Sequence, residues 1–119
     1  MDLQNDMIAS HKTTATIFCG LMEGYDGKIH DINEAYDICR EYCEEVSMGV
    51  TVTSTVFIYK GGEERGVIVG LINYPMYPKL VDEVRFHAIA LARRLRDGLK
   101  QKRVSVITPS ETITIGEVK

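Results

Sequence analysis

Tryptophan is absent from this chain, and proline and cysteine occur three times each. The cysteines, Cys19, Cys39 and Cys43, are odd in number and follow no framework spacing, which excludes a disulfide scaffold. Cys39 and Cys43 lie four apart in a helical pattern, but none of His11, His30 or His87 adjoins them in sequence. They read as small buried hydrophobes, and no metal site is expected. No apolar run approaches the roughly 18 to 20 residues that span a bilayer. The opening MDLQNDMIASHKTT has neither the basic start nor the apolar stretch of a secretory signal. A positive excess is also missing: 14 Lys and Arg stand against 17 Asp and Glu, for a formal net charge of −3. That balance speaks against binding long nucleic acid. These absences point to a single cytoplasmic domain, its 119 residues sufficient for one core.

Familiar catalytic motifs are missing too. There is no Walker or Rossmann glycine loop, no Gly-x-Ser-x-Gly elbow and no His-Glu-x-x-His. Asp82 and Glu83 open a helical stretch, where the helix dipole accounts for them better than paired-carboxylate catalysis does. His87 falls beside an apolar stripe and reads as a packed helix residue. On these grounds the chain is expected to be a binding protein rather than an enzyme, with no cofactor.

What is present alternates in period. Residues 1–14 lack periodicity and read as a flexible arm; residues 15–119 form the domain. Ala15 to Met22 reads as a buried strand, followed by a loop through Glu23, Gly24, Tyr25, Asp26 and Gly27. Asp31, with Glu34 three positions on, is a capping-box pattern. Behind it Ile32, Ala35, Tyr36, Cys39, Tyr42, Cys43 and Val46 trace an amphipathic helix. Met48 to Lys60 switches to period two, with Val50, Val52, Ser54, Val56 and Ile58 on one face and Thr51, Thr53, Thr55, Phe57 and Tyr59 on the other. Gly61 to Glu64 reads as a turn and Arg65 to Tyr74 as the return strand of a hairpin, stopped by Pro75 and Pro78. Val81, Val84, Ala88, Leu91, Leu95 and Leu99 stripe a second helix over Lys79 to Lys102. Two short strands, Arg103 to Thr108 and Glu111 to Ile115, follow. The β-α-β-β-α-β-β order predicts an α+β fold with two helices on one face of a largely antiparallel sheet, ferredoxin-like with an added edge strand.

Charge is unevenly spread. Asp31 to Val46 holds six acids and one arginine, whereas Lys79 to Arg103 holds eight bases and three acids. The near-neutral total is therefore a cancellation between two helices. Solvated outer faces explain most of these residues, although opposite faces also suit self-assembly.

The hairpin and its exit concentrate chemistry. Phe57, Tyr59, Asn73, Tyr74 and Tyr77 place aromatic and amide groups at strand ends, with Arg65 and Arg85 close in sequence. Aromatic faces for a base, an amide for its edge and guanidinium forks for phosphate are what a nucleotide requires. An aromatic-rich hairpin that merely covers a small core remains the other reading.

The stretch TVFIYKGGEERGVIVGLINYP-x-x-P, the preceding helix ending Cys-x-x-x-Cys-Glu-Glu, and the later RVSVITP followed by TITI resemble type-one Thoeris anti-defence proteins of bacteriophages. The likeness runs from about Thr16 to Ile115. It implies a non-enzymatic sponge that sequesters cyclic ADP-ribose isomers in the cytoplasm of the infected bacterium. Members form hexamers, and some take cyclic trinucleotides of CBASS immunity at a second site. By this resemblance Phe57 stacks the base, Asn73 makes a polar contact, and Arg65 and Arg85 meet phosphate or ribose. Tyr74 and Arg103 complete the candidate ligand-binding set. A tight small-ligand site on so small a domain is expected to be shared between copies of the chain. A ferredoxin-like regulatory or RNA-binding module and a small nucleotide-cleaving enzyme are the competing readings.

Overall fold

The computed structural model describes residues 6–24, 27–76 and 78–117. Strands β1 (Thr14–Gly20), β2 (Val50–Tyr59), β3 (Gly62–Ile72), β4 (Arg103–Ile107) and β5 (Thr112–Gly116) form one antiparallel sheet in the order β2-β3-β1-β4-β5. Helices α1 (Ile32–Val46) and α2 (Val81–Gly98) pack on one face of it. This is the expected α+β arrangement, with β5 as the added edge strand.

The alternation of each strand decides which side chains reach the helices. Ile17, Val67, Val69, Leu71, Val104 and Val106 point into the core, where Ala35, Cys39 and Tyr42 of α1 meet Ala88, Leu91, Leu95 and Leu99 of α2. Each of these side chains is essentially removed from water, worth about 1.5–3 kcal/mol for a buried Val or Leu. The register pairs Phe18 with Ile68 and Ser105, Phe57 with Glu64, and Thr16 with Gly70 and Ile107. Those residues share the other face of the sheet, which no described element covers.

Local chemistry sets the boundaries. Asp31 caps α1: its Oδ1 accepts from the Asn33 amide at 2.8 Å, and Glu34 Oε2 accepts from the Asp31 amide at 2.9 Å. The capping box expected from the sequence is therefore formed. Ser47, in the left-handed region, ends the helix. The hairpin is longer than the sequence predicts. Tyr59 pairs directly with Gly62, so Glu63 and Glu64 lie in β3 rather than in a turn. Gly61 supplies the positive φ of 86° that a two-residue turn needs. The tip projects beyond the helices and is solvated on both sides, which is why charged residues sit in strand there. Helix α2 stops at Gly98, not Lys102, because Lys100 turns left-handed and the Gln101 amide closes on Arg96 O at 2.8 Å.

Part of the N-terminal arm is tied down. Ser10 donates to Asn73 O at 2.6 Å, and the Asn73 amide donates to Thr13 O at 3.2 Å. Residues 1–5 of that arm, Tyr25 and Asp26 of the first loop, and Tyr77 lie outside the described residues. Among the described residues, no helix is long and apolar enough to cross a membrane.

Candidate functional site

Of the six candidate ligand residues, the fold brings two together and separates the rest. Phe57 and Arg103 both line a cleft of about 380 Å³ on the uncovered face of the sheet, with Phe18, Met22, Glu64, Gln101, Ser105 and Glu117 around them. Arg65 follows Glu64 on β3 and so points to the opposite face, across from Val56. Asn73, Tyr74 and Arg85 lie at the far end of the sheet, beyond the Thr14 end of β1. The six steps from Thr14 to Gly20 put them about 20 Å from the cleft.

Phe57 is seated by glycine. A Cβ on Gly66 would overlap Phe57 Cε2 and come within 2.7 Å of the Cys19 carbonyl oxygen. Only hydrogen at that position lets the ring lie down on β3. Phe18 meets Phe57 edge to face, with centroids 6.4 Å apart and planes at 61°. The pair offers a flat apolar surface large enough for a purine. Glu64 is half-buried beside it on β3. Arg103 is exposed at the rim, its Nη1 donating to Glu117 O at 3.4 Å. Gln101 donates to both Met22 O and Leu99 O, at 3.0 and 2.9 Å, and thereby ties the loop after β1 to the end of α2. The cleft thus combines an aromatic floor, carboxylates (Glu64, Glu117) and cations (Lys102, Arg103).

The thiols are not part of this chemistry. Burial pushes Cys19 up to about 12, with Cys39 and then Glu64 adding to it, and pushes Cys39 up to about 12 with Cys43 adding. Neither is a nucleophile at neutral pH, in keeping with the reading of both as buried hydrophobes. Among the described residues no group of three His, Cys, Asp or Glu side chains is arranged to hold a metal ion.

At the far end, Arg85 Nε donates to Glu111 Oε1 at 2.6 Å across a hollow of about 310 Å³ lined also by Thr13, Asp82, Thr108 and Ser110. That contact raises the arginine and lowers the carboxyl. The Asn73 side chain is fully occupied: Nδ2 donates to His11 O and Lys79 O, and Oδ1 accepts from the Lys79 amide, at 2.7–3.0 Å. Asn73 is 5% exposed and staples the arm, the end of β3 and the approach to α2.

Sequence reasoning missed Phe18, Glu64, Gln101 and Glu117. The alternation of β1 placed Phe18 on the polar side of its strand, a usable signal. The partner of Phe57 depended on a register that only the true turn defines.

No protein-family model matches this chain, and no curated protein matches it. Among solved structures, the chain is similar to a phage SAM lyase in complex with S-methyl-5'-thioadenosine, at 17% identity and a TM-score of 0.74, covering 95% of each chain. It is likewise similar to a phage SAM lyase in its apo state, at 18% identity and a TM-score of 0.74, covering 90% of each chain. The likeness is one of fold. It overturns the expectation of a non-enzyme, because the frame expected to belong to a binding protein is that of a lyase from end to end. The motifs whose absence carried that expectation belong to other frames, so their absence decides nothing here.

Proposed function

We propose that this chain is a phage anti-defence enzyme that removes an adenosine-bearing small molecule of the host cytoplasm, and that its substrate is SAM (S-adenosylmethionine). The observation that carries the reading is the cleft at the Phe57–Phe18 pair, set in a frame shared with a lyase solved with S-methyl-5'-thioadenosine. Each part of SAM has a counterpart there. The aromatic pair takes the adenine face, Glu64 complements the sulfonium cation, and Arg103 with Lys102 complements the amino-acid carboxylate.

The chemistry follows from the charge. When the bond between sulfur and the amino-acid side chain breaks, its electron pair stays on sulfur and the cation becomes a neutral thioether, S-methyl-5'-thioadenosine. The four-carbon fragment restores its valence by bonding to its own carboxylate or by giving up a proton. No water is added, as a lyase requires. An apolar aromatic floor favours the neutral product over the charged reactant, and Glu64 is placed to hold the cation or receive the proton.

Cyclic ADP-ribose isomers and cyclic trinucleotides, the ligands implied by the Thoeris resemblance, also carry an adenine. They bring two or more phosphates, whereas Lys102 and Arg103 share the cleft with two carboxylates and Arg65 and Arg85 lie elsewhere. The geometry therefore favours the singly cationic substrate. The cleft is open along the sheet face, and its enclosure by a second copy of the chain, in a homo-oligomer, is part of the proposal.

The test is incubation with SAM and chromatography of the products. Catalytic release of S-methyl-5'-thioadenosine is expected, with Glu64→Gln lowering kcat by about 10²-fold or more and Phe57→Ala raising KM. Unchanged SAM beside depletion of a cyclic ADP-ribose isomer overturns the lyase reading. A monomer by light scattering that retains full turnover overturns the shared enclosure.

A further inference from the structure

The imidazole of His30 is buried, 4% exposed at its side chain, and both its nitrogens face carboxylates. Nδ1 lies 3.0 and 3.1 Å from the two oxygens of Glu34, and Nε2 lies 2.6 Å from Glu23 Oε2. A carboxylate only accepts, so two such contacts require two protons on the nitrogens. The charged groups facing the ring are Glu23 from the loop and Glu34 from α1. Lys28 acts on Glu34, and the Asp31 amide donates to it. Hydrogen bonds from His30 and then from Asp31 hold Glu34 below the usual carboxylate range, so it is the ionised acceptor.

The ring joins two things that the rest of the chain leaves separate. Glu23 belongs to the segment after β1, whose Met22 and Gly24 wall the cleft. Glu34 belongs to the first turn of α1. The segment closes on itself through Glu23 N to Lys28 O at 2.9 Å and His30 N to Leu21 O at 2.7 Å, with a bridge between Met22 and Ile29. Nothing else among the described side chains bonds that wall to α1.

We propose that His30, doubly protonated between Glu23 and Glu34, is a positioning residue that fixes the Met22–Gly24 wall of the cleft to α1, and that loss of its second proton releases the wall. Rising pH thus loosens one side of the binding cleft while the core stays folded. The inference rests on the cleft being the ligand site, but the clamp itself stands without it.

The test uses the ligand-free chain. Ring-nitrogen NMR and amide hydrogen exchange are followed together from about pH 5 to about pH 9, the range over which histidine changes charge. Both ring nitrogens are expected to be protonated at the acid end. As one proton leaves, exchange at the Glu23 and His30 amides, corrected for its intrinsic pH dependence, accelerates about tenfold or more, as the loss of a charged hydrogen bond implies. Glu23→Gln, at a partly exposed position, folds normally and shows the fast exchange throughout. His30→Gln abolishes the pH dependence. A ring that is singly protonated over the whole range, or amide protection that ignores its titration, overturns the proposal. SAM turnover measured over the same range then shows whether KM follows the wall; a chain inactive on SAM but with this exchange profile refutes the lyase reading and leaves the clamp intact.

Discussion

Gly66 and Phe57 act as one unit at the residue scale. The ring rests where a methyl group would stand, and the backbone of β1 closes the only other direction, through Cys19 O. Gly66→Ala is therefore expected to lift Phe57 off the sheet. Overpacking of this kind costs about 1–3 kcal/mol, read by urea denaturation. SAM binding should weaken as much as in Phe57→Ala, because both lose the aromatic floor. Retained binding in Gly66→Ala would show that Phe57 stacks on nothing in the ligand. Composition identified the right aromatic, since Phe57 stands on the polar face of an alternating strand. It could not identify Glu64, because two charged residues beside two glycines look like a turn until the pairing of Tyr59 with Gly62 places them in strand.

At the scale of elements, the two helices are joined by a polar seam as well as by their apolar stripes. Tyr42 of α1 and His87 of α2 share a hydrogen bond of 2.6 Å, and the Arg94 guanidinium lies 4.8 Å over the Tyr42 ring while pairing with Glu45 at 2.5 Å. Desolvation, then Lys79, lowers His87 below its ordinary value of 6.5, so the neutral ring accepts from the Tyr42 hydroxyl. The unfolded chain binds a proton at His87 that the folded chain resists. Stability contributed by this seam is thus present above pH 6.5 and declines as pH falls below it. Thermal melts of His87→Gln should show that part of the acid-side decline flattened; an unchanged pH profile would remove His87 from the seam. The helices themselves were legible in the sequence, down to Asp31 and its capping box. The seam was not, because which polar residue of one helix meets which of the other depends on how they cross. Asn73 shows the same limit: an amide at a strand end looks like a ligand contact until its three backbone partners are known.

For the whole molecule, element order and sheet class followed from period changes, and the opposite charges of the helices were countable. The cleft was only half legible. It is assembled from β1, β2, β3 and the approach to β4, whose residues are up to about a hundred positions apart in sequence, and proximity in sequence misled where Arg65 and Arg85 are concerned. The strand order β2-β3-β1-β4-β5 has a further consequence, in time rather than space. The central strand is the first to be synthesised, yet Thr14 pairs with Ile72 and Thr16 with Ile107, so β1 has no neighbour until most of the chain exists. Only the β2–β3 hairpin can form from adjacent residues before then, and docking β1 onto it closes a long loop at entropic cost. Refolding should be limited by that docking. Val69→Ala, in the strand that receives β1, is expected to slow refolding, whereas Ile115→Ala on the outermost strand mainly hastens unfolding. Stopped-flow chevrons distinguish the two; equal effects on both limbs would place β5 in the nucleus as well. Nascent chains that end before β3 would display an apolar first strand with nothing to pair with, which makes the earliest segment of this protein the one most dependent on being finished.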